Sequence, residues 1–140
     1  NEFLPEGKLI LYTQGKASPR MDYNSNGKGK YQQLPLTVLI DEASASASEI
    51  FAGAIQDYGL GSIVGTTTYG KGIVQQIFDL GDGTCVKLTM AEYYTPNGRN
   101  IHKKGITPDV EVEYQQDENN PDADNQLDAA LEQVRNKINQ

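Results

Sequence analysis

The chain is expected to fold as a mixed α/β domain, and three observations carry that expectation. Short apolar runs of strand length recur along its 140 residues. One of them leads directly into a stretch with helical spacing, as in a strand–helix–strand unit. A second helical pattern closes the chain after an acidic, proline-containing interval. The order is strand, helix, strand, several further strands, then helix, with no internal repeat. The length suits one domain with a real core and not two.

Taken in order, "KLILYT" (8–13) is apolar and aromatic and reads as a strand. Residues 15–33 are polar and carry the Asn26-Gly27 turn signal, so a surface excursion or hairpin is expected there. "LTVLIDE" (36–42) is a continuous apolar run ending in acids, the pattern of a strand covered on both faces. Residues 44–58 have helical spacing, with Ile50, Ala54 and Tyr58 on one stripe and Phe51 and Ile55 beside it; Gly59 and Gly61 stop the helix. "SIVGTTTYG" gives a short buried strand and a loop. "QQIFDL", "TCVKLTMAEYY" and "PDVEVE" are further strands, the first two joined by "GDG" as a hairpin. "TPNG" (95–98) has the residues of a turn. A final amphipathic helix is expected with Asp124 or Asn125 as cap and Leu127, Leu131, Val134 and Ile138 as its apolar stripe. The chain therefore divides into a core over 1–114, an acidic linker over 115–125 and a C-terminal helix over 126–140 that packs on the core or on a partner.

Composition narrows the function classes. Apolar residues make up 37% and charged residues 22%, as in a globular protein, and no run approaches the roughly eighteen apolar residues that span a bilayer. Nineteen acidic against twelve basic side chains give a formal charge of -7, which disfavours nucleic acid, and no basic patch offsets it. No Cys/His cluster stands at metal-ligand spacing, so neither metal nor cofactor is implied. The one cysteine, Cys85, excludes an intrachain disulfide and reads as a small buried hydrophobe in a strand. No secretory leader is visible, and "NEFLPEG" reads like the middle of a helix-to-strand connection, so the chain is taken as an excised fragment.

The informative stretch is "DEASASASEIFAGAIQDYGLG" (41–61), where three serines alternate with alanines at the mouth of a helix. Ser46-Ala47-Ser48-Glu49 fits an S-x-x-E capping box, in which Ser46 accepts from the amide of residue 49 and nothing more is needed. The same position suits a nucleophile. A serine on a strand-to-helix turn is presented at the end of a sheet, beside first-turn amides that can receive an oxyanion.

A serine nucleophile needs a base. A Ser-His-Asp triad would rest on the single histidine, His102, which beside Lys103 and Lys104 reads as a solvated surface residue. Lysine is the remaining usual base. Lys71 in "TTYGKGIVQQ" lies between Gly70 and Gly72, where the backbone can turn sharply and approach other elements. A lysine in water titrates near 10.4, so the base must be held in a partly buried place, against neighbours such as Tyr69 and Ile73. A surface lysine in a flexible loop, or a glycine-flanked phosphate binder, are the other readings. The full P-loop pattern is absent because no Ser or Thr follows Lys71.

"LPLTVLIDEASASASEIFAGAIQDYG", "GTTTYGKGIVQQ", "KLTMAEYYTPNGRNIHKKGITPDVEV" and "DNQLDAALE" together resemble the catalytic core of the C-terminal processing (tail-specific) serine peptidases, in the right order over roughly residues 34 to 134. The resemblance implies a serine–lysine dyad on the fold shared by Clp-type peptidases and crotonases. It puts Ser46 at the nucleophile position, Lys71 at the base position, Gln75 where a residue orients the lysine, and the Ala47 amide as an oxyanion donor. The substrates implied are proteins or peptides with accessible C-termini, and the location implied is the bacterial cell envelope or periplasm.

A physical constraint follows. A straight strand through 71–75 would separate Lys71 from Gln75 by about 13 Å at roughly 3.3 Å per residue. One helical turn would bring them to about 6 Å. A turn or short helix is therefore expected at 71–75, with the strand starting near Gln75 or Gln76.

The chain also departs from the family pattern. The glycine-rich loop that supplies the second oxyanion donor has no counterpart in residues 1–33, the PDZ domain that precedes the core is missing, and Ala43 stands where glycine is common. The fold is thus expected to be incomplete on its N-terminal side and the fragment inactive alone, since losing one oxyanion donor costs about a hundred- to a thousandfold in turnover. Open sheet edges would favour a homo-oligomer of the fragment, such as a swapped dimer. Two other readings stay open: a non-catalytic peptide-binding or scaffold module on the same fold, and an acyl-CoA-handling enzyme of the crotonase fold, against which the acidic balance argues.

Overall fold

The computed structural model describes residues 1–139. Its strands are β1 (Leu9–Gln14), β2 (Met21–Asn24), β3 (Leu36–Ile40), β4 (Gly61–Gly65), β5 (Ile73–Asp79), β6 (Cys85–Tyr94) and β7 (Val110–Glu111), with helices α1 (Ala47–Asp57) and α2 (Asn125–Ile138). They form two sheets: an antiparallel one in the order β2-β1-β6-β5, and a parallel one in the order β3-β4-β7. The expected mixed α/β architecture is present, with its C-terminal helix. Among the described residues no helix is long and apolar enough to cross a membrane.

The β3–α1–β4 unit positions the site. β3 and β4 pair in parallel from Leu36↔Gly61 to Ile40↔Gly65, so the chain must cross over between them, and α1 is that crossover. Its Ala52 and Ile55 join Ile40, Ile63, Ile101 and Ile106 in the buried core, while Phe51 stays partly exposed and packs on the ring of Phe3. At the far end of α1 the Gly59 N–H donates to the Gln56 carbonyl and the Leu60 N–H to the Ile55 carbonyl. With Gly59 at φ 62 this is a Schellman ending, which accounts for the helix stop.

Four expectations are corrected. The hairpin within 15–33 forms, but β1 turns into β2 through Gly15 and Ser18, whose backbones bond reciprocally; Asn26-Gly27 follows β2. No helical turn occupies 71–75. Ile73 and Val74, both β-branched, already pair with Glu92 and Ala91, and the Gly72 carbonyl accepts from Tyr93, so the ladder starts early. The irregularity is instead a bulge: Val74 faces Ala91 while Gln75 faces Thr89, leaving Met90 as the extra residue. Cys85 is exposed, because the β5–β6 hairpin projects with its far end uncovered. Finally, α2 packs on β3 and β4 through Ala130, and Leu127, Leu131 and Ile138 face outward. Its cap is Asp124, which accepts from Gln126 and Leu127.

Candidate active site

Ser46 is held at the N-terminus of α1 by the turn that leaves β3. The Asp41 carboxylate accepts from the Ser44 amide (2.8 Å) and hydroxyl (2.7 Å), folding residues 41–44 back on themselves. Ser46 then takes φ 57, ψ -110, a conformation that L side chains rarely occupy. The expected capping box joins Ser46 and Glu49, with the Ser46 N–H donating to Glu49 Oε2 at 2.8 Å. The Ala47 N–H is among the first-turn amides that a helix leaves without an intrahelical partner.

Lys71 stands in the loop between β4 and β5, and this loop is tied to its surroundings residue by residue. The Tyr69 N–H donates to the Ser44 carbonyl (3.0 Å), Thr68 to the Ile106 carbonyl (3.1 Å), and Lys103 to the Gly70 carbonyl (2.8 Å). Gly70 has φ 83, and a Cβ there would sit 3.1 Å from the Lys103 backbone, a combination open to glycine alone. The side chain of Lys71 is exposed, and Tyr69 is 69% exposed, so the expected burial of the lysine is not found within this chain. The loop backbone at Gly70 and Gly72 is buried, and the lysine projects from it.

Lys71, Ala45, Tyr69, Ile73, His102 and Lys103 line one cleft of about 680 Å³. Its charged lining is basic, in a protein whose overall charge is -7. His102 is half-buried, its Nδ1 buried with no partner among the described residues, which corrects its reading as a solvated surface residue. Gln75 lies beyond the bulge on β5, where its carboxamide donates to Thr89 Oγ1 at 3.4 Å. The strand leaves no helical turn to bring it under Lys71. Among the described residues no three His, Cys, Asp or Glu side chains converge on a point that could hold a metal.

The residue that sequence reading undervalued is Glu49. It was legible as the glutamate that closes an S-x-x-E capping box. In the fold it is also 0% exposed, and its carboxylate accepts from Thr68 Oγ1 (2.6 Å), the Gly70 N–H (2.6 Å) and the Lys71 N–H (2.9 Å) as well as from Ser46. The only signal in the sequence was the S-x-x-E spacing, which says nothing of a loop 19 to 22 residues away.

Comparison with known proteins gives the family of the chain. The family model described as Peptidase family S41 matches residues 1–112. A carboxyl-terminal-processing protease of Synechocystis sp. is 43% identical over 111 residues, covering 79% of this chain and 26% of that protein. A carboxy-terminal-processing protease of Bartonella bacilliformis is likewise 43% identical over 111 residues, with the same shares of the two chains. Among solved structures, a photosystem II D1 C-terminal processing protease superposes with a TM-score of 0.75 at 38% identity, covering 80% of this chain and 29% of that one. The chain thus spans about a quarter of the length of the curated relatives it matches.

Proposed function

The chain belongs to peptidase family S41, a family of serine proteases, and from that premise we propose that the full-length protein carrying it cuts protein substrates near their C-termini with Ser46 as nucleophile and Lys71 as general base. The observation that carries the proposal is Ser46 itself. A non-glycine residue held at positive φ at the mouth of α1, with its neighbour Ser44 bonded to the loop of Lys71, is a strained arrangement that packing alone does not require.

In the proposed reaction an uncharged Lys71 Nζ takes the proton of the Ser46 hydroxyl as its Oγ attacks the scissile carbonyl. The Ala47 N–H donates to the developing oxyanion. The lysine ammonium then gives its proton to the departing amine, and a water, deprotonated by the same lysine, hydrolyses the acyl-enzyme. Gln75 is assigned as the support of the lysine on the resemblance alone. Lys71 is exposed in this chain, and residues 1–33 hold no counterpart of the glycine-rich loop that would supply a second oxyanion donor, so the isolated chain is proposed to be inactive. A PDZ domain ahead of the core and a place in the bacterial cell envelope are proposed on the same resemblance.

A fluorophosphonate probe applied to the full-length protein tests the reading. Labelling at Ser46 that disappears in Lys71→Ala is the expected result. Peptide binding with no labelling would replace the peptidase by a non-catalytic binding module, and labelling that survives Ser46→Ala would move the nucleophile elsewhere.

A further inference from the structure

We propose that Glu49 is a positioning residue that sets the backbone at both ends of the Ser46–Lys71 pair, an inference that rests on the peptidase reading and adds a residue to it. The geometry is unusual for a helix-capping glutamate. A cap is a surface device, whereas Glu49 is wholly buried, and a buried carboxylate persists only when its oxygens are satisfied. Here each oxygen takes two donors: Thr68 Oγ1 and the Gly70 N–H on Oε1, the Ser46 and Lys71 N–H groups on Oε2. The acceptor-only form of a carboxyl group has that capacity, and charge-assisted bonds of this kind are the strong ones.

What matters is which donors share one oxygen. Oε2 is bonded to the backbone of the proposed nucleophile and to the backbone of the proposed base, at 2.8 and 2.9 Å. The bond to Ser46 holds a residue that would otherwise relax away from φ 57. The bond to Lys71 fixes the root of the lysine side chain relative to the same atom. Neither side chain has to be buried for this to work, which suits a lysine that is exposed in this chain. Thr68 steadies the carboxylate from behind: its hydroxyl donates to Oε1 and accepts from the Ile106 N–H at 2.7 Å, anchoring the assembly to the core residue Ile106.

Substitution has a definite consequence. In Glu49→Gln one oxygen becomes an amide nitrogen, and whichever way it points it faces two donors. A misplacement of about 1 Å between reacting groups can cost about a hundredfold in rate.

The test uses the full-length protein, with Glu49→Gln, Thr68→Val and Thr68→Ser compared with Ser46→Ala and Lys71→Ala. Peptide hydrolysis is measured alongside thermal unfolding and the rate of Ser46 labelling by a fluorophosphonate. Glu49→Gln and Thr68→Val are expected to lower kcat by about a hundredfold while KM stays within about threefold, and to slow labelling in step. Thr68→Ser, which keeps the hydroxyl, should stay close to the parent. A folded Glu49→Gln protein with unchanged kcat overturns the inference, as does a loss confined to KM. If Glu49→Gln does not fold, the threonine pair decides, and equal activity of the valine and serine variants overturns it. Amide hydrogen exchange separates this idea from the peptidase reading. Protection of the Ser46, Gly70 and Lys71 amides should be lost together in Glu49→Gln or Thr68→Val whether or not the protein hydrolyses peptides, and unchanged or independent protection overturns the inference. Hydrolysis that survives Ser46→Ala and Lys71→Ala sinks the dyad instead.

Discussion

The backbone of Gly72 lies directly against the main chain of His102: a Cβ at position 72 would sit 2.8 Å from the carbonyl carbon of Ile101 and closer still to the His102 amide. The loop of Lys71 and the segment 101–105 are therefore in main-chain contact, and the bond from Lys103 to the Gly70 carbonyl closes it. Because backbone cannot move aside as a side-chain tip can, Gly72→Ala should destabilise the fold by about 1–3 kcal/mol. Urea denaturation measures this, and the rate of fluorophosphonate labelling of the full-length protein should fall as well.

Ser46 gives a second prediction, which separates the backbone strain from the loss of the hydroxyl. Its φ of 57 is costly for any residue with a Cβ. Ser46→Gly should be more stable than Ser46→Ala by about 1 kcal/mol, since only glycine relieves the strain, and both should be inactive. Equal unfolding midpoints for the two variants would mean that the turn is not strained.

Arg99 lies at the end of α1 over Asp57, whose side chain is only 3% exposed, and its other nitrogen reaches Gln56 Oε1 at 2.8 Å. Gln56 in turn donates to Asp109 Oδ1 (2.7 Å), and Asp109 Oδ2 accepts from the Ile63 N–H (2.8 Å). The network links helix, β4 and the 95–109 segment. Arg99→Ala leaves Asp57 with the Asn97 amide but no cation, and should cost about 1–3 kcal/mol, the pair being discounted because Arg99 is itself solvent-accessible. Arg99→Lys should recover part of this loss in the same urea titration.

At the tip of the β5–β6 hairpin, the Thr84 hydroxyl (2.6 Å) and N–H (2.9 Å) both donate to Asp82 Oδ1 and hold its carboxyl below the ordinary 3.8. The folded value is the lower one. The stability it contributes is therefore present above the ordinary carboxylate range and is lost as pH falls through the lowered value. Carboxyl titration by NMR should find Asp82 below 3.8 and returning toward it in Thr84→Val, which removes the larger of the two causes.

The same hairpin leaves Ile77 63%, Leu80 59% and Leu88 48% exposed, and β5 is an edge strand. Phe78 and Val86 are cross-strand partners, with Leu88 on their face. Apolar surface beside an open edge favours pairing between copies. The chain expressed alone is expected to self-associate, and Ile77→Lys with Leu88→Lys to shift it toward monomer. Light scattering that finds the unaltered chain monomeric would remove this expectation.

Local pattern by itself determined the two helices and most of the strands in their order, the capping box at Ser46 and the stop of α1 at Gly59, and it narrowed the cap of α2 to Asp124 or Asn125, because each depends on neighbours a few residues away. The motifs also carried the family, through "ASASEI" and "GKGIVQ". Tertiary structure decided what depends on distant partners. β6 drew Ile73 and Val74 into its ladder, where a helical turn was expected. Packing on β3 and β4 turned the leucines of α2 outward, although their spacing marked them as its buried stripe. Glu49 changed from a cap into a buried acceptor only when the loop of Thr68, Gly70 and Lys71 folded over it. A hydrogen bond within one helical turn is implied by spacing, whereas one that closes a loop of some twenty residues exists only after the sheet has brought its ends together.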